Sequence, residues 1–393
     1  MARAEGLFGQ TVDRIGGEPI SSRMARRAPI RHVDLSLLLI TMLLTVFGAV
    51  MIFSATASKQ EEAGLDPASF LKRQVIAAVV GVVVLLVFST FDYRHLKTLS
   101  PIIYGITVIA LILVLTPAGD LVNGTRSWFR FGAFQLQPGE MAKLAVILAA
   151  GAYMAERKDG MSFLDVLAVV GMIGVPMILI FVQPDFGTML VFVFLTASLL
   201  LIGGAKVRHL LFLTFVGLVA VVIALQSNVL KPYQVERLTA FMDPNPDVQS
   251  AGYNLTQSKI AIASGGFGGQ GLRAENTQTS LDFVPEQHTD FIFTAVGEQL
   301  GFIGSAALLV MLAFLMWRAV RIAAMSRDLF GTLIASGIAT MWAFQIFQNI
   351  GMTMGIMPIT GIPLPFISYG GSSTITNFMA VGLLMNVHMR RFL

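Results

Sequence analysis

Asp290 closes the run Pro285-Glu286-Gln287-His288-Thr289-Asp290 and is followed at once by an apolar stretch starting at Phe291. A carboxylate at the edge of an apolar segment is partly desolvated, which lifts its pKa toward that of a general base and makes it costly unless it is used. The other reading is a helix cap or an anchor for Lys or Arg. Glu140 and Lys143 stand three residues apart, on one helical face. They read either as a structural ion pair or as a Lys143 that faces an outer cavity and binds an anionic head group, with Glu140 holding it; both readings turn the pair away from lipid. Trp128, between Arg126 and Arg130, suits an interfacial tryptophan belt or a contact to a sugar and its phosphate. Glu298, about 12 Å beyond Asp290 along a helix, reads as a buried hydrogen-bond partner. Ser264-Gly265-Gly266-Phe267-Gly268-Gly269 lacks the Lys-Ser/Thr of a phosphate-binding loop and reads as tight turns. No His, Asp and Glu set has metal-ligand spacing, so a metal could bind only through phosphates or through residues brought together by folding.

The elements that must position these groups are apolar. Hydrophobic residues make up 55% of the 393 and charged residues 13%, against about 25% charged in soluble domains. The chain reads as a polytopic, all-α membrane protein. Its net charge of +4 is spread among apolar runs and forms no basic patch of the kind nucleic acid requires. With no cysteine, disulfides and thiolate sites are excluded.

Ten runs are long enough to cross about 30 Å of hydrocarbon: 33–55, 74–90, 100–116, 139–155, 166–182, 187–204, 209–226, 291–316, 329–349 and 371–388. An even number puts both termini on one side. The segments on that side carry seventeen Lys and Arg residues and the opposite set nine, although its loops are longer; both termini are therefore expected to be cytoplasmic. This divides the chain into a cytoplasmic tail over 1–32, a ten-helix domain over 33–388 and a short cytoplasmic tail over 389–393. The polar loops 117–138, 183–186, 227–290 and 350–370 then fall outside. The largest, 227–290, is expected to hold a short helix over 257–263 that ends at Ser264-Gly265-Gly266. Such polar, glycine-rich backbone cannot face lipid, so it sits in water or lines a cavity.

Several stretches together resemble the SEDS family of shape, elongation, division and sporulation proteins. They are Asn123-Gly124-Thr125-Arg126-Ser127-Trp128, Gln137-Pro138-Gly139-Glu140 with Lys143, Gln183-Pro184-Asp185-Phe186-Gly187-Thr188, Gln257-Ser258-Lys259-Ile260-Ala261-Ile262, Pro285-Glu286-Gln287-His288-Thr289-Asp290-Phe291 and Pro365-Phe366-Ile367-Ser368-Tyr369-Gly370-Gly371. Asn349-Ile350-Gly351-Met352 and Gly361-Ile362-Pro363-Leu364-Pro365 look like the elongation branch more than the division branch. The chain departs from the family at Gly139, usually Ser, and at Ser127, usually a second basic residue.

The resemblance implies a ten-helix peptidoglycan glycosyltransferase that polymerises lipid II on the outer face of the cytoplasmic membrane. Its implied partners are a class B penicillin-binding protein (a transpeptidase) and the membrane proteins of the elongation complex. Asp290 corresponds to the family's essential aspartate and Trp128 to its functional tryptophan; Glu140 and Lys143 match positions in its central cavity. The expected mechanism uses Asp290 as general base, with Lys143, Arg126 and Arg237 around the leaving pyrophosphate and His288 in the substrate site. Mg²⁺ or Mn²⁺ is the candidate cofactor. The competing readings are a lipid II flippase, a division-branch polymerase and a non-catalytic scaffold. A flippase needs polar groups at many depths, whereas here the polar motifs gather outside.

Overall fold

Backbone removed from water must close its own hydrogen bonds, and an apolar run does so most simply as a helix. The computed structural model describes residues 32–122, 125–132, 134–157, 160–226, 251–281, 283–284 and 286–391, and each of the ten apolar runs falls on a helix. These are α1 (Leu35–Glu62), α2 (Ser69–Thr90), α3 (Tyr93–Val114), α4 (Pro138–Met154), α5 (Phe163–Val182), α6 (Phe186–Ile202), α7 (Val207–Gln226), α9 (Ile292–Ala324), α10 (Leu329–Met354) and α11 (Gly371–Met389), with α8 (Ala251–Ser264) between α7 and α9. Local chemistry sets many of the starts. Asp34, Asp92, Asp185 and Asp328 each accept a backbone N–H from the first turn that follows, and Ser162 and Asp165 form a capping box. Helix α8 ends at Ser264, the residue expected from the glycines that follow.

Helices α4, α10 and α11 form the centre and are buried along most of their length. Helices α2 and α11 touch closely because Gly81 and Gly382 lack side chains: a Cβ at Gly81 would lie 2.5 Å from the Phe378 ring, and one at Gly382 would lie 2.8 Å from the Leu85 carbonyl. At one end of this pair, Asn386 of α11 and Arg390, which follows the helix, donate to the carbonyls of Phe88, Ser89, Phe91 and Thr90, the last turn of α2 and the residue after it. Large aliphatic side chains on α2, α3, α5 and α7 are exposed, as a lipid-facing surface requires. Among the described residues, six helices (α1, α2, α3, α5, α9 and α10) are long and apolar enough to cross a membrane.

The loops depart from an all-α reading. Residues 117–138 hold a three-stranded antiparallel sheet of β1 (Asp120–Val122), β2 (Thr125–Phe131) and β3 (Phe134–Leu136) in the order β1-β2-β3. In register, Asp120 faces Trp128 and Phe129 faces Leu136. The cause is the two-residue alternation in Thr125-Arg126-Ser127-Trp128-Phe129-Arg130-Phe131, a strand pattern inside a loop.

The run expected as one span over 291–316 is broken at Gly301 (φ 63°, ψ −158°). Before the break, 292–299 is buried; after it, 302–324 is about 35 Å of helix. The glycine-rich segment after α8 fills the break. Gln270 and Gly271 donate to the carbonyls of Glu298 and Gln299, while Phe302 and Ile303 donate to those of Gly266 and Phe267, at 2.9–3.2 Å. The expectation of tight turns is thus incomplete, because the glycines also allow two backbones to meet. Segment 350–370, expected outside, has most of residues 359–368 buried. The tail 1–31 and residues 227–250 lie outside the described residues.

The junction gives a matched pair of variants. A Cβ at Gly265 would lie 2.0 Å from the Gly297 carbonyl oxygen, whereas one at Gly268 meets nothing within 4 Å. Gly265→Ala is expected to destabilise the protein by about 1–3 kcal/mol and Gly268→Ala to leave it near wild type, as read by denaturation in detergent. Equal stability of the two would contradict the close contact.

Candidate functional site

Asp290 sits in a turn whose amides converge on one carbonyl. Thr289, Asp290 and Phe291 N–H all point to the Glu286 oxygen at 3.1–3.3 Å, and Glu286 adopts φ 53°. The turn is tied to the centre by Asn349 of α10, fully buried, whose Nδ2 donates to the carbonyls of Asp290 and Ile362, each at 2.8 Å. One amide therefore holds the aspartate turn against segment 355–370. The Asp290 carboxylate lies over Gly361, where a Cβ would be 3.1 Å from Oδ2 and where φ is +71°. Only glycine leaves both the room and the backbone conformation. Asp290 and His288 stay half-buried. The His288 ring packs edge-on against Phe70 of α2 at 4.7 Å and beside Tyr369 at 5.5 Å, and Tyr369 N–H donates to the His288 carbonyl at 2.9 Å.

The second cluster forms where α4 begins. Pro138 occupies the first turn, a position that needs no N–H, and Glu140 is in the same turn, where the helix dipole favours an anion. Lys143 Nζ is 2.6 Å from Glu140 Oε1, and the two side chains are 1% and 3% exposed. Lys143 is thus enclosed by its partner and offers no ammonium surface to an outer cavity in this conformation. Among the described residues, Glu140 Oε2 is buried without a hydrogen-bond partner.

Asp185, capping α6, joins this cluster. Its Oδ1 accepts Thr188 N–H at 2.9 Å and its Oδ2 accepts Gln137 Nε2 at 3.0 Å. Although Asp185 keeps some exposed surface, its carboxyl is packed among protein atoms. Desolvation pushes its pKa above the ordinary carboxylate value and the Glu140 charge adds to this, against the bonds from Thr188 and the charge of Lys143. The sequence reading passed over Asp185 as part of a tight turn; an acidic residue between two apolar helices was the signal.

The sheet is fixed to the same turn. Ser127 is buried and its hydroxyl donates to the Gln183 carbonyl at 3.2 Å, so strand alternation puts Arg126, Trp128 and Arg130 on the opposite face of β2. Arg130 is taken by Asp120 at 2.8 Å, while Arg126 and Trp128 are half-buried. Serine at 127 therefore serves as an anchor. At Gly139 the nearest atoms to a Cβ would be those of Thr188 and Ile180 at 3.8–4.0 Å, so a serine would fit there. Ser372 of α11 completes the frame: it accepts Gln137 N–H at 2.9 Å and donates to the Gln135 carbonyl at 2.7 Å.

The two clusters share one wall. A Cβ at Gly187, two residues past Asp185, would lie 2.6 Å from the Thr360 carbonyl oxygen and from Ile362, and Ile362 is held by the same Asn349 that holds Asp290. Of the residues expected in the site, Glu140 and Lys143 meet each other and Asp185, while His288 and Asp290 meet segment 355–370. Trp128 and Arg126 lie on the sheet beside the first cluster, and Arg237 lies outside the described residues. Glu298 is no part of either cluster. It is fully buried and accepts the N–H groups of Gln278 and Thr279 at 2.7 and 2.8 Å and the Thr279 hydroxyl, as expected for a structural partner.

Residues 34–392 match the family model of FtsW, RodA and SpoVE, described as cell cycle proteins. Stage V sporulation protein E of Bacillus subtilis is 37% identical over 357 residues, covering 90% of this chain and 96% of that protein. The probable peptidoglycan glycosyltransferase FtsW of Trichlorobacter lovleyi is 37% identical over 366 residues, covering 92% and 95%. A chain in a solved peptidoglycan synthase complex that coordinates polymerization and crosslinking superposes with a TM-score of 0.77 at 32% identity, covering 92% of this chain and 98% of its own.

Asp185 predicts a pH dependence. Because its folded pKa lies above the ordinary value of 3.8, the folded state binds its proton more tightly than the unfolded chain. Its contribution to stability is therefore lost as pH rises through that window. Asp185→Asn is expected to gain stability relative to wild type on going from acid to neutral pH, measured by chemical denaturation at each pH. A relative loss would reverse the assignment.

Proposed function

The chain belongs to the FtsW/RodA/SpoVE family, the SEDS proteins, and from that premise we propose that it is a peptidoglycan glycosyltransferase polymerising lipid II at the outer face of the cytoplasmic membrane. The observation that carries the reading is Asp290: a half-buried carboxylate on a turn fixed by Asn349 and seated over a glycine. The sugar 4-hydroxyl of an acceptor lipid II attacks the anomeric carbon of the growing, lipid-linked chain. Asp290 takes the hydroxyl proton as the new C–O bond forms, and the bond to undecaprenyl pyrophosphate breaks with inversion. Arg126, beside Trp128 on the face of β2 turned away from the Gln183 anchor, is the cation placed for the pyrophosphate. Lys143 reaches it only if its pair with Glu140 opens. Among the described residues no three His, Asp or Glu groups cluster as a metal site, so no step is routed through Mg²⁺ or Mn²⁺.

Ten helices cross the membrane in this reading, and α8 lies in the extracytoplasmic loop. Helices α4 and α11 are enclosed by others and need no lipid-facing apolar surface, while α6, at 17 residues, stands at the lower limit for a span. Both termini and the basic loops lie inside. A class B penicillin-binding protein is the partner, a reading supported by the likeness to a chain of a synthase complex. The elongation role rests on Asn349-Ile350-Gly351-Met352 and Gly361-Ile362-Pro363-Leu364-Pro365, while the relatives quoted above carry sporulation and division names.

Labelled lipid II supplied to the purified protein with its cognate class B penicillin-binding protein is expected to give glycan ladders. Asp290→Asn should lower the rate by about 100-fold or more, with unchanged melting and partner binding. A normally folded variant that still polymerises would remove Asp290 from the chemistry. Lipid II translocation without ladders from wild type would move the function to transport.

A further inference from the structure

Two cavities lie side by side at the end of the bundle remote from Asp290. One of about 260 Å³ runs between α3, α4 and α5; the other, of about 210 Å³, lies between the start of α3, the end of α4 and the start of α10. Lys97 lines both. The rim carries both signs of charge in equal number. Lys97 Nζ is 3.4 Å from Glu156 Oε1 and Arg94 Nε is 3.9 Å from Asp328 Oδ2, all four side chains being partly exposed.

The larger cavity becomes apolar with depth. Ala149 and Ala152, one turn apart on α4, leave the space that larger side chains would fill. Pro101 and Met172 also line it. At the far end, about 10 Å along α3 from Lys97, the Tyr104 hydroxyl donates to the Met172 carbonyl at 2.9 Å. That carbonyl lies four residues before Pro176, which has no N–H to return to it. The hydroxyl is thus occupied by α5, and the end of the groove presents the ring. Beside the groove, α3 also carries exposed Ile102, Ile106 and Ile109, so a lipid-facing surface flanks it.

We propose that this groove holds one phospholipid with a zwitterionic, primary-ammonium head group. The phosphate takes Lys97 and Arg94, the ammonium takes Glu156, with Asp328, held by Tyr93 and by the start of α10, as a fixed negative charge beside it, and an acyl chain lies over Ala149 and Ala152 toward Tyr104. An anionic head group would meet two carboxylates along with the two cations, whereas a zwitterion satisfies both. A choline head group has no N–H for the carboxylates to accept. The inference rests on these helices being membrane spans, and not on the Asp290 chemistry.

The test is native mass spectrometry of the full chain in detergent with an equimolar mixture of phosphatylethanolamine, phosphatidylglycerol and phosphatidylcholine. Phosphatidylethanolamine is expected to be retained several-fold over the others. The rim variant Lys97→Ala/Glu156→Ala and the floor variant Ala152→Phe should each lose that preference, with folding followed by thermal melting; Ala152→Phe leaves the rim charges in place. Equal retention of the three lipids, or a preference for phosphatidylglycerol, overturns the proposal. So does a preference that survives in both variants.

Discussion

Backbone that leaves a helix inside an apolar protein must find hydrogen-bond partners within the protein; two such departures meet at Asp290 and a third lies farther along α9. The turn 286–291 gathers its amides on the Glu286 carbonyl. Segment 355–370 relies on side chains: Asn349 on the Ile362 carbonyl, Gln348 Nε2 on the Pro358 carbonyl at 2.7 Å, and Ser368 Oγ accepting the Leu364 N–H at 2.8 Å. The break in α9 uses the glycine-rich loop. An unpaired buried peptide group costs on the order of 1–3 kcal/mol, so each departure needs its particular partner. Asn349 serves two of them at once, which is why the position of Asp290 and the path of 361–362 cannot vary independently.

Buried charge is handled in two ways. Glu298 has two backbone N–H groups and a hydroxyl directed at it, a carboxylate satisfied by donors that cannot leave. Glu140 has Lys143 on one oxygen and, among the described residues, no hydrogen-bond partner on the other. Enclosed ion pairs are weak sources of stability, since an apolar pair of similar volume does as well or better. The first arrangement is explained by the fold, because it secures 277–279 onto α9. The second is not, and an incompletely satisfied pair beside an aspartate of raised pKa is what a site built for charge rearrangement would contain.

What the sequence revealed follows physical range. Helix formation in an apolar run is local, and all ten runs lie on helices; the caps at Asp34, Asp92, Asp185 and Asp328 are local as well, yet the sequence reading did not single them out. The strand alternation in 125–131 was equally local and was obscured by the polar composition of the loop. Gly301 could not be singled out, because its role depends on 265–271 arriving against it, some thirty residues away in the chain. The same holds for Gly361, whose value lies in what stands over it. The position of Asp290 at an apolar edge was legible, but Asn349, noted only in a motif of the elongation branch, gave no sign that its amide would fix the aspartate turn.

Electrostatics narrows which cations can act in the proposed transfer. Moving Lys143 onto a phosphate would leave the Glu140 carboxylate buried and unpaired, a loss of several kcal/mol unless a proton arrives. Asp185, whose carboxyl favours its proton more than an exposed one would, stands in the same cluster. Arg126 faces no such cost: it lies half-buried on a sheet whose reverse face is secured by Ser127, and guanidinium binds phosphate in two-point fashion. In the proposed transfer, charge developing on the leaving group would therefore be met first from the sheet. The turn at 183–187 is held by Gln137, Thr188 and Ser127, and through Gly187 and Ile362 it braces the wall on which Asp290 rests.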